Sequence, residues 1–233
     1  MPSNIAAHHS RKKRYIIAAS IAITAIAIAL YNAAQSNPYR NLFLWNFDSY
    51  KNSSLPDDFL PIQTTSPNEN IWVVKADESS MSPPNVLVKL PGNSSKAGYN
   101  IVIMNNQIYA SDLKASVKFK IIPNDSTQKS VGLIVRLQDR SHYFVLAADS
   151  VNSLFSLCRA EPERIICTQD VNVNITSGQW HTIAAQVSAQ GIAGYLDNNL
   201  LLQRYDQHYI SGQIGLWTKG DSSVFFDDLK IQY

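Results

Sequence analysis

From residue 42 onward, apolar and polar residues alternate with a period of two in short runs, and clusters of turn-forming residues separate the runs. Residues 113–121 show it most cleanly. Ala115, Val117, Phe119 and Ile121 fall on one side, and Lys114, Ser116, Lys118 and Lys120 on the other. Such a segment predicts a strand with one packed and one wet face. Shorter apolar runs at 42–48 (LFLWNFD), 71–74, 86–90 and 100–104 are bounded by Gly, Pro, Asn and Ser, the spacing of an all-β sandwich. Residues 130–149 predict a hairpin turning at Asp139-Arg140-Ser141, with Leu133, Val135 and Leu137 facing one way and Gly132, Ile134 and Arg136 the other. A second hairpin is predicted from 153–158 and 164–168. Residues 180–187, 191–197 and 200–204 follow as a meander in which Asp197-Asn198-Asn199 supplies the tolerance of positive φ that a tight turn requires. The chain closes on two strands, 213–218 and 224–233, joined by the turn KGDSS. Simple alternation in the last strand puts Asp227 with Phe225 and Leu229, and Asp228 with Phe226 and Lys230.

The first 40 residues break this pattern. Arg11-Lys12-Lys13-Arg14 precede a run, YIIAASIAITAIAIALYNAA, that carries no charge. Residues 15–34 match the roughly 20 residues a spanning helix needs, whereas 16–30 alone would suit a signal-peptide core. The best cleavage position, after Ala34, puts Asn32 where a small residue is wanted, so the segment is expected to stay as an anchor. The basic residues then hold the N-terminus in the cytoplasm, which puts the rest of the chain outside. The expected division is a basic tail at 1–14, an anchor helix at 15–34, a linker at 35–40 and one domain at 41–233. Of the 20 Lys and Arg, five (Arg11, Lys12, Lys13, Arg14 and Arg40) precede the domain, which leaves it 15 against all 18 acidic residues, a net of −3. The positive balance of the whole chain is therefore a topology signal, and no nucleic-acid partner is expected.

Cys158 and Cys167 flank a predicted turn, and an exported hairpin would join them in a disulfide; two reduced buried thiols are the alternative. N-glycosylation sequons begin at Asn52, Asn93, Asn124 and Asn174, each in or beside a loop.

The closing block GQIGLWTKGDSSVFFDDLKIQY resembles the last strands of concanavalin A-like lectin/glucanase jelly rolls, in particular laminin G-like and 3-keto-disaccharide hydrolase-like domains. Other matching places are Phe47-Asp48 with the following Leu55-Pro56, the 130–149 pair with Asp139 and Tyr143-Phe144, and Trp180-His181 followed by the Leu196-Asp197-Asn198 turn. The resemblance spans residues 43–233 and implies two antiparallel sheets packed as a jelly roll. It also implies a structural Ca2+ where the first and last strands meet, at Asp227 or Asp228 with Asp48. All-oxygen ligands of that kind suit calcium.

The fold hosts binders and hydrolases alike, so function must be argued from side chains. A glycosidase needs two carboxylates flanking the bond. The four glutamates, Glu69, Glu78, Glu161 and Glu163, all lie in predicted loops or turns, and there is no E-x-D-x-x-E strand and no G-x-S-x-G elbow. Sugar binding needs flat rings with polar groups beside them. Trp72, Tyr143, Trp180, Tyr195, Tyr205 and Trp217 offer rings, and Arg136, His142, His181 and Gln186 offer hydrogen bonds. The chosen ligand-binding set is Arg136, His142, Tyr143, His181 and Trp217. The expected function is a membrane-anchored domain outside the cell that binds a glycan or glycoconjugate. The resemblance also implies two alternatives, a glycoside hydrolase and a laminin G-like module that binds protein.

Overall fold

The structure, a computed structural model, describes residues 41–62, 71–91, 98–105, 108–124, 127–220 and 223–233. The expected tail, anchor and linker at 1–40 lie outside the described residues. Among the described residues no helix is long and apolar enough to cross a membrane. Residues 41–233 form one compact unit with its own core.

The described residues form fifteen strands. They are β1 (Leu42–Trp45), β2 (Phe59–Ile62), β3 (Trp72–Ala76), β4 (Asn85–Lys89), β5 (Tyr99–Met104), β6 (Leu113–Ile121), β7 (Ser130–Asp139) and β8 (His142–Asp149), followed by β9 (Leu154–Glu161), β10 (Arg164–Asn172), β11 (Trp180–Ser188), β12 (Gly191–Leu196), β13 (Asn199–Arg204), β14 (Gln213–Lys219) and β15 (Val224–Gln232). Every pairing is antiparallel. One sheet, here sheet A, runs β13-β12-β11-β6-β15-β4-β3 with β1 also on β15; sheet B runs β10-β9-β8-β7-β14-β5-β2. The order mixes neighbours in sequence with distant strands, as a jelly roll does. β15 lies at the centre of sheet A and β14 beside β7 in sheet B, so the closing hairpin contributes one strand to each sheet.

The alternation expected at residues 113–121 is observed on its apolar side, whereas Lys120 on the expected wet side is buried against Asp77. Ala115, Val117, Phe119 and Ile121 are buried between the sheets, against Val131, Leu133 and Val135 of β7 and Phe144, Leu146 and Ala148 of β8. Such burial is the main stabilising term, about 25 cal/mol per Å2 of apolar surface removed from water.

Three local readings need correction. Phe59–Ile62 is a strand, in a stretch to which the hydrophobic pattern assigned no element. It lies at the end of sheet B, where an edge tolerates Pro61. β9 and β10 extend to Glu161 and from Arg164, so only Pro162 and Glu163 form the turn, and the φ of +70° at Glu163 accommodates its tightness. In β15 the register shifts between Asp227 and Lys230, with Asp228 at φ +47°, so Leu229 joins Phe226 in the core and simple alternation fails.

Candidate functional site

A second, smaller apolar cluster lies on the outer face of sheet B, away from the inter-sheet core. Alternation places it there. Leu216 of β14 faces the core, so its neighbour Trp217 faces out; on β8, Phe144 and Leu146 face in, and Tyr143, Val145 and Ala147 face out. Across the strands one row reads Ile101, Trp217, Gly132, Ala147, Ser156 and Asp170. The central members of the row are small, and the Trp217 indole comes close to the bare Cα of Gly132. A Cβ on Gly132 would stand 3.2 Å from Trp217 Cε3 and 2.5 Å from Val145 Cγ2.

Tyr99 of β5 stacks on Trp217, with ring centroids 5.3 Å apart and planes 26° from parallel. Trp217 is 3% exposed, and among the described residues no acceptor meets its indole Nε1–H in full hydrogen-bond geometry. Tyr99 is half-buried and borders two shallow depressions, one on each side. The first, about 460 Å3, is walled by Arg140, Ser141, Tyr143, Glu161 and Arg164. The second, about 240 Å3, has the Cys158–Cys167 disulfide in its wall, with Ser130, Asp149, Ser156 and Lys219 as polar neighbours. Burial pushes both the Tyr99 and Tyr143 hydroxyls up from the usual phenol pKa, so each is a neutral donor and acceptor at physiological pH.

Two carboxylates at this face, Glu161 and Asp149, are already engaged. Glu161 accepts from Arg159 Nε at 3.1 Å and from Arg164 Nε and Nη2 at 3.0 and 2.8 Å, and these guanidinium groups hold its pKa below the usual carboxylate range. Asp149 accepts from Ser130 Oγ, the amides of Val151 and Asn152, and Asn152 Nδ2, all within 3.0 Å.

Of the residues chosen from sequence, Tyr143 and Trp217 come together here; the others do not. Arg136 sits in a β-bulge at φ +54° and is fully buried, with Nη1 donating to Asp206 O at 2.8 Å and Nη2 to Ser188 O at 2.7 Å. The bulge turns it off the face that Gly132 and Ile134 share, and it presents nothing to a ligand. His142 alternates with Tyr143 and turns the other way, 2.8 Å from Asp139 and edge-on to Tyr209. His181 belongs to sheet A, where Nδ1 meets Asp197 at 2.7 Å and Nε2 accepts from the Thr176 amide at 3.2 Å. Sequence reasoning missed Tyr99. It follows directly on a Gly/Ser/Asn-rich stretch that reads as loop, and only the pairing of Lys219 with Tyr99 brings it beside Trp217.

The expected calcium ligands are turned to hydrogen donors. Asp227 is fully buried and accepts from the amides of Met81 and Ser82 at 2.9 Å, from Ser82 Oγ at 3.0 Å and from the Asp228 amide at 2.7 Å. Asp228 pairs with Lys118 at 2.7 Å, and Asp48 accepts from Asn46 and the Asn85 amide. Among the described residues no three acidic, His or Cys side chains cluster around one point. A cation here would have to displace N–H and O–H donors, so these residues do not fit calcium.

A separate ion-pair cluster lies under the end of β13. Asp206, its side chain 3% exposed, accepts from the His208 amide at 2.8 Å and meets His208 Nδ1 at 2.6 Å and Arg204 Nε at 3.4 Å. Burial alone would raise its pKa, but these donors outweigh burial and hold it below the usual range. A carboxylate depressed in the folded state adds stability that is full above its unfolded pKa of about 3.9 and is lost as pH falls through the folded value. The melting temperature is therefore expected to drop on acidification below about pH 4. Asp206→Asn should lower the neutral plateau and flatten that acid limb, as followed by thermal melts at stepped pH.

No protein-family model matches the chain, and no curated protein matches it in sequence. Among solved structures, the carbohydrate-binding module CBM66 from Bacillus subtilis aligns with a TM-score of 0.60 at 15% identity, over 76% of this chain and 96% of that one. A GH16 protein of the Bacteroides ovatus mixed-linkage glucan locus, in complex with its G4G4G3G product, aligns at 0.58 and 10% identity, over 81% and 99%. The exoplasmic/lumenal domain of VIP36, in its Ca2+/Man3GlcNAc-bound form, aligns at 0.52 and 8% identity, over 69% and 82%.

Proposed function

The fold is that of the concanavalin A-like lectins and glucanases, and on it we propose that the outer face of sheet B binds a glycan or glycoconjugate. The observation that carries the reading is the Tyr99–Trp217 stack with a depression on each side. An aromatic pair anchored in a small-residue floor and edged by hydroxyls, carboxylates and Lys219 offers the apolar surface and fixed polar groups that a pyranose or furanose ring requires. The neighbours in structure include a carbohydrate-binding module and proteins holding saccharides, which supports a sugar partner generally. A glycosidase keeps one carboxylic acid protonated by a raised pKa; Glu161, held low by two arginines, does not meet that need.

In this proposal the domain works outside the cell, tethered by the apolar run at 15–34. The support is sequence alone: twenty residues free of charge behind four basic ones.

The test uses the 41–233 piece on columns of immobilised β-glucan, fructan and mannan. Retention on one of them is expected, and Tyr99→Ala should weaken it roughly ten-fold. The half-buried ring caps the face without filling the inter-sheet core, so the change should lower stability by no more than about 2 kcal/mol. Retention that Tyr99→Ala leaves unchanged would remove this face from the proposal, and no retention on any glycan would shift it to a protein partner.

A further inference from the structure

The outer face of sheet A carries a groove of its own. It measures about 510 Å3 and runs along β12, between β11 on one side and β13 on the other. β13 is the end strand of sheet A, so no further strand walls the groove on that side. The order of its side chains follows from the pairing register. Gln186, Ala193 and Gln203 stand opposite one another on β11, β12 and β13, so two amides flank a floor made by Ala193. Two residues along β12, Tyr195 lies on the same face. In the other direction Tyr205 lies beside Gly191, where a Cβ on the glycine would stand 3.0 Å from Tyr205 Cα, and Gln190 adjoins it. Gly191 and Tyr195 belong to one extended strand, which sets the two ends of the groove ~13 Å apart.

The lining reads hydroxyls rather than charges. Gln186, Gln190 and Gln203 are exposed, and their side-chain amides are not committed inside the protein. Gln190 donates its backbone N–H to Ser188 Oγ at 3.3 Å, and the backbone carbonyl of Gln203 accepts from Gln169 Nε2 at 3.1 Å, but among the described residues the three side-chain amides have no partner. Each sets a carbonyl acceptor beside an NH2 donor, a pair that two neighbouring hydroxyls satisfy. Tyr205, 65% exposed, and the half-buried Tyr195 supply a flat ring at each end. No acidic residue lines the groove, and the one cation in the lining, Arg204, is held by Asp206 at 3.4 Å. A charged ligand would find no free counter-ion here. An uncharged sugar chain is matched twice over, by its C–H faces on the tyrosines and its hydroxyls on the amides.

We propose that this groove is a second binding surface, specific for a linear, uncharged polysaccharide: one sugar ring stacks on Tyr195, another on Tyr205, and the hydroxyls between them meet Gln186, Gln203 and Gln190. The separation of the two tyrosines makes the ligand a chain, because a single sugar cannot reach both. The proposal does not depend on that for sheet B. The two surfaces face away from each other on opposite sides of the sandwich, so with both in use one domain can join two glycan chains.

The experiment is calorimetric titration of the 41–233 piece, a compact unit with its own core, carrying Tyr99→Ala so that sheet B contributes as little as possible. The titrants are oligomers of cellulose, laminarin, mannan and xylan, each as the hexasaccharide and as the disaccharide. At least one hexasaccharide is expected to bind, roughly ten-fold or more tighter than its disaccharide, with an affinity that does not change as salt rises. Tyr195→Ala and Tyr205→Ala should each weaken it about ten-fold, and Gln186→Ala roughly five-fold. All three positions are on the surface, so the variants are expected to fold, as circular dichroism would check. The proposal is overturned by equal binding of hexasaccharide and disaccharide, by affinity that falls with salt, or by binding that both tyrosine variants leave intact. If the piece with Tyr99 unchanged binds a hexasaccharide and the Tyr99→Ala piece binds none, sheet B alone holds glycan and the sheet A proposal falls while that for sheet B stands. Binding of a proline-rich peptide with no binding of any glycan would overturn it as well and make the tyrosine pair a peptide platform.

Discussion

Arg136→Ala is expected to lower the unfolding free energy of the 41–233 domain by about 3–5 kcal/mol in a urea titration, the combined cost of two carbonyls left without donors and of the cavity left by a fully buried side chain. Most proteins have only 5–15 kcal/mol in all. The reasoning starts from the bulge. Between Val135 and Asp139 the register of β7 against β8 shifts, Arg136 takes a positive φ, and its side chain runs to the end of the sandwich. There its two Nη groups satisfy the carbonyls of Ser188, the last residue of β11 in the other sheet, and of Asp206, two residues beyond the end of β13. One guanidinium thus ties sheet B to sheet A. Truncation leaves two carbonyls without donors, a cavity, and one positive charge fewer near Asp206. Arg136→Lys is expected to recover only part of the loss, because a single ammonium cannot span two separated carbonyls as a planar fork does. Gly212 closes the same bulge: a Cβ there would run into the Arg136 and Leu137 backbone, so Gly212→Ala should act in the same direction. A change below about 1 kcal/mol for Arg136→Ala would mean that water replaces the guanidinium and that the tie is not structural.

This arginine also marks where sequence reasoning ran out. Alternation assigned Leu133, Val135 and Phe119 to the core correctly, because a period of two follows from the pleat itself, but it failed for Leu137, which lies past the bulge and joins the outer-face cluster. It put Arg136 on a ligand face because a bulge adds a residue without any mark in the hydrophobic pattern, and the same omission misplaced Leu229 after Asp227 and Asp228. The disulfide was legible because two cysteines across a tight turn have little choice of partner, and the structure pairs Cys158 with Cys167 in register. Trp217 could be read as one of a pair facing opposite ways, Leu216 or Trp217, but only the sheet order decides which of them points out. Tyr99 was not legible at all. Its role depends on β5 lying beside β14, a contact between residues more than one hundred positions apart that no local pattern encodes. The calcium expectation came from resemblance, and the local fact that bears on it, the donation of the Met81 and Ser82 amides to Asp227, is a contact that no motif shows.

Trp217→Ala is the other change expected to have a large effect, and it acts on stability and binding together. Removing a 3% exposed indole leaves a cavity under Tyr99 and should cost about 3–5 kcal/mol. Retention of glycan by sheet B should be lost as well, because Tyr99 no longer has a surface to stack on. A destabilised protein can lose binding simply by unfolding, so the measurement is made well below the melting temperature of the variant, with near-ultraviolet circular dichroism confirming packed aromatics. Gly132→Ala separates the two effects. It keeps every group a ligand would touch, yet its Cβ presses on Val145 and on the Trp217 ring from beneath. The expected cost in stability is about 1–3 kcal/mol, with a fall in retention as the ring tilts off the floor. If Gly132→Ala weakens binding while Tyr195→Ala on sheet A does not, the position of the indole, and not the bulk stability of the sandwich, sets the affinity of this face. If a folded Trp217→Ala domain still retains glycan at full strength, the stack is only a second core on the back of the sheet, and the binding surface must be sought elsewhere.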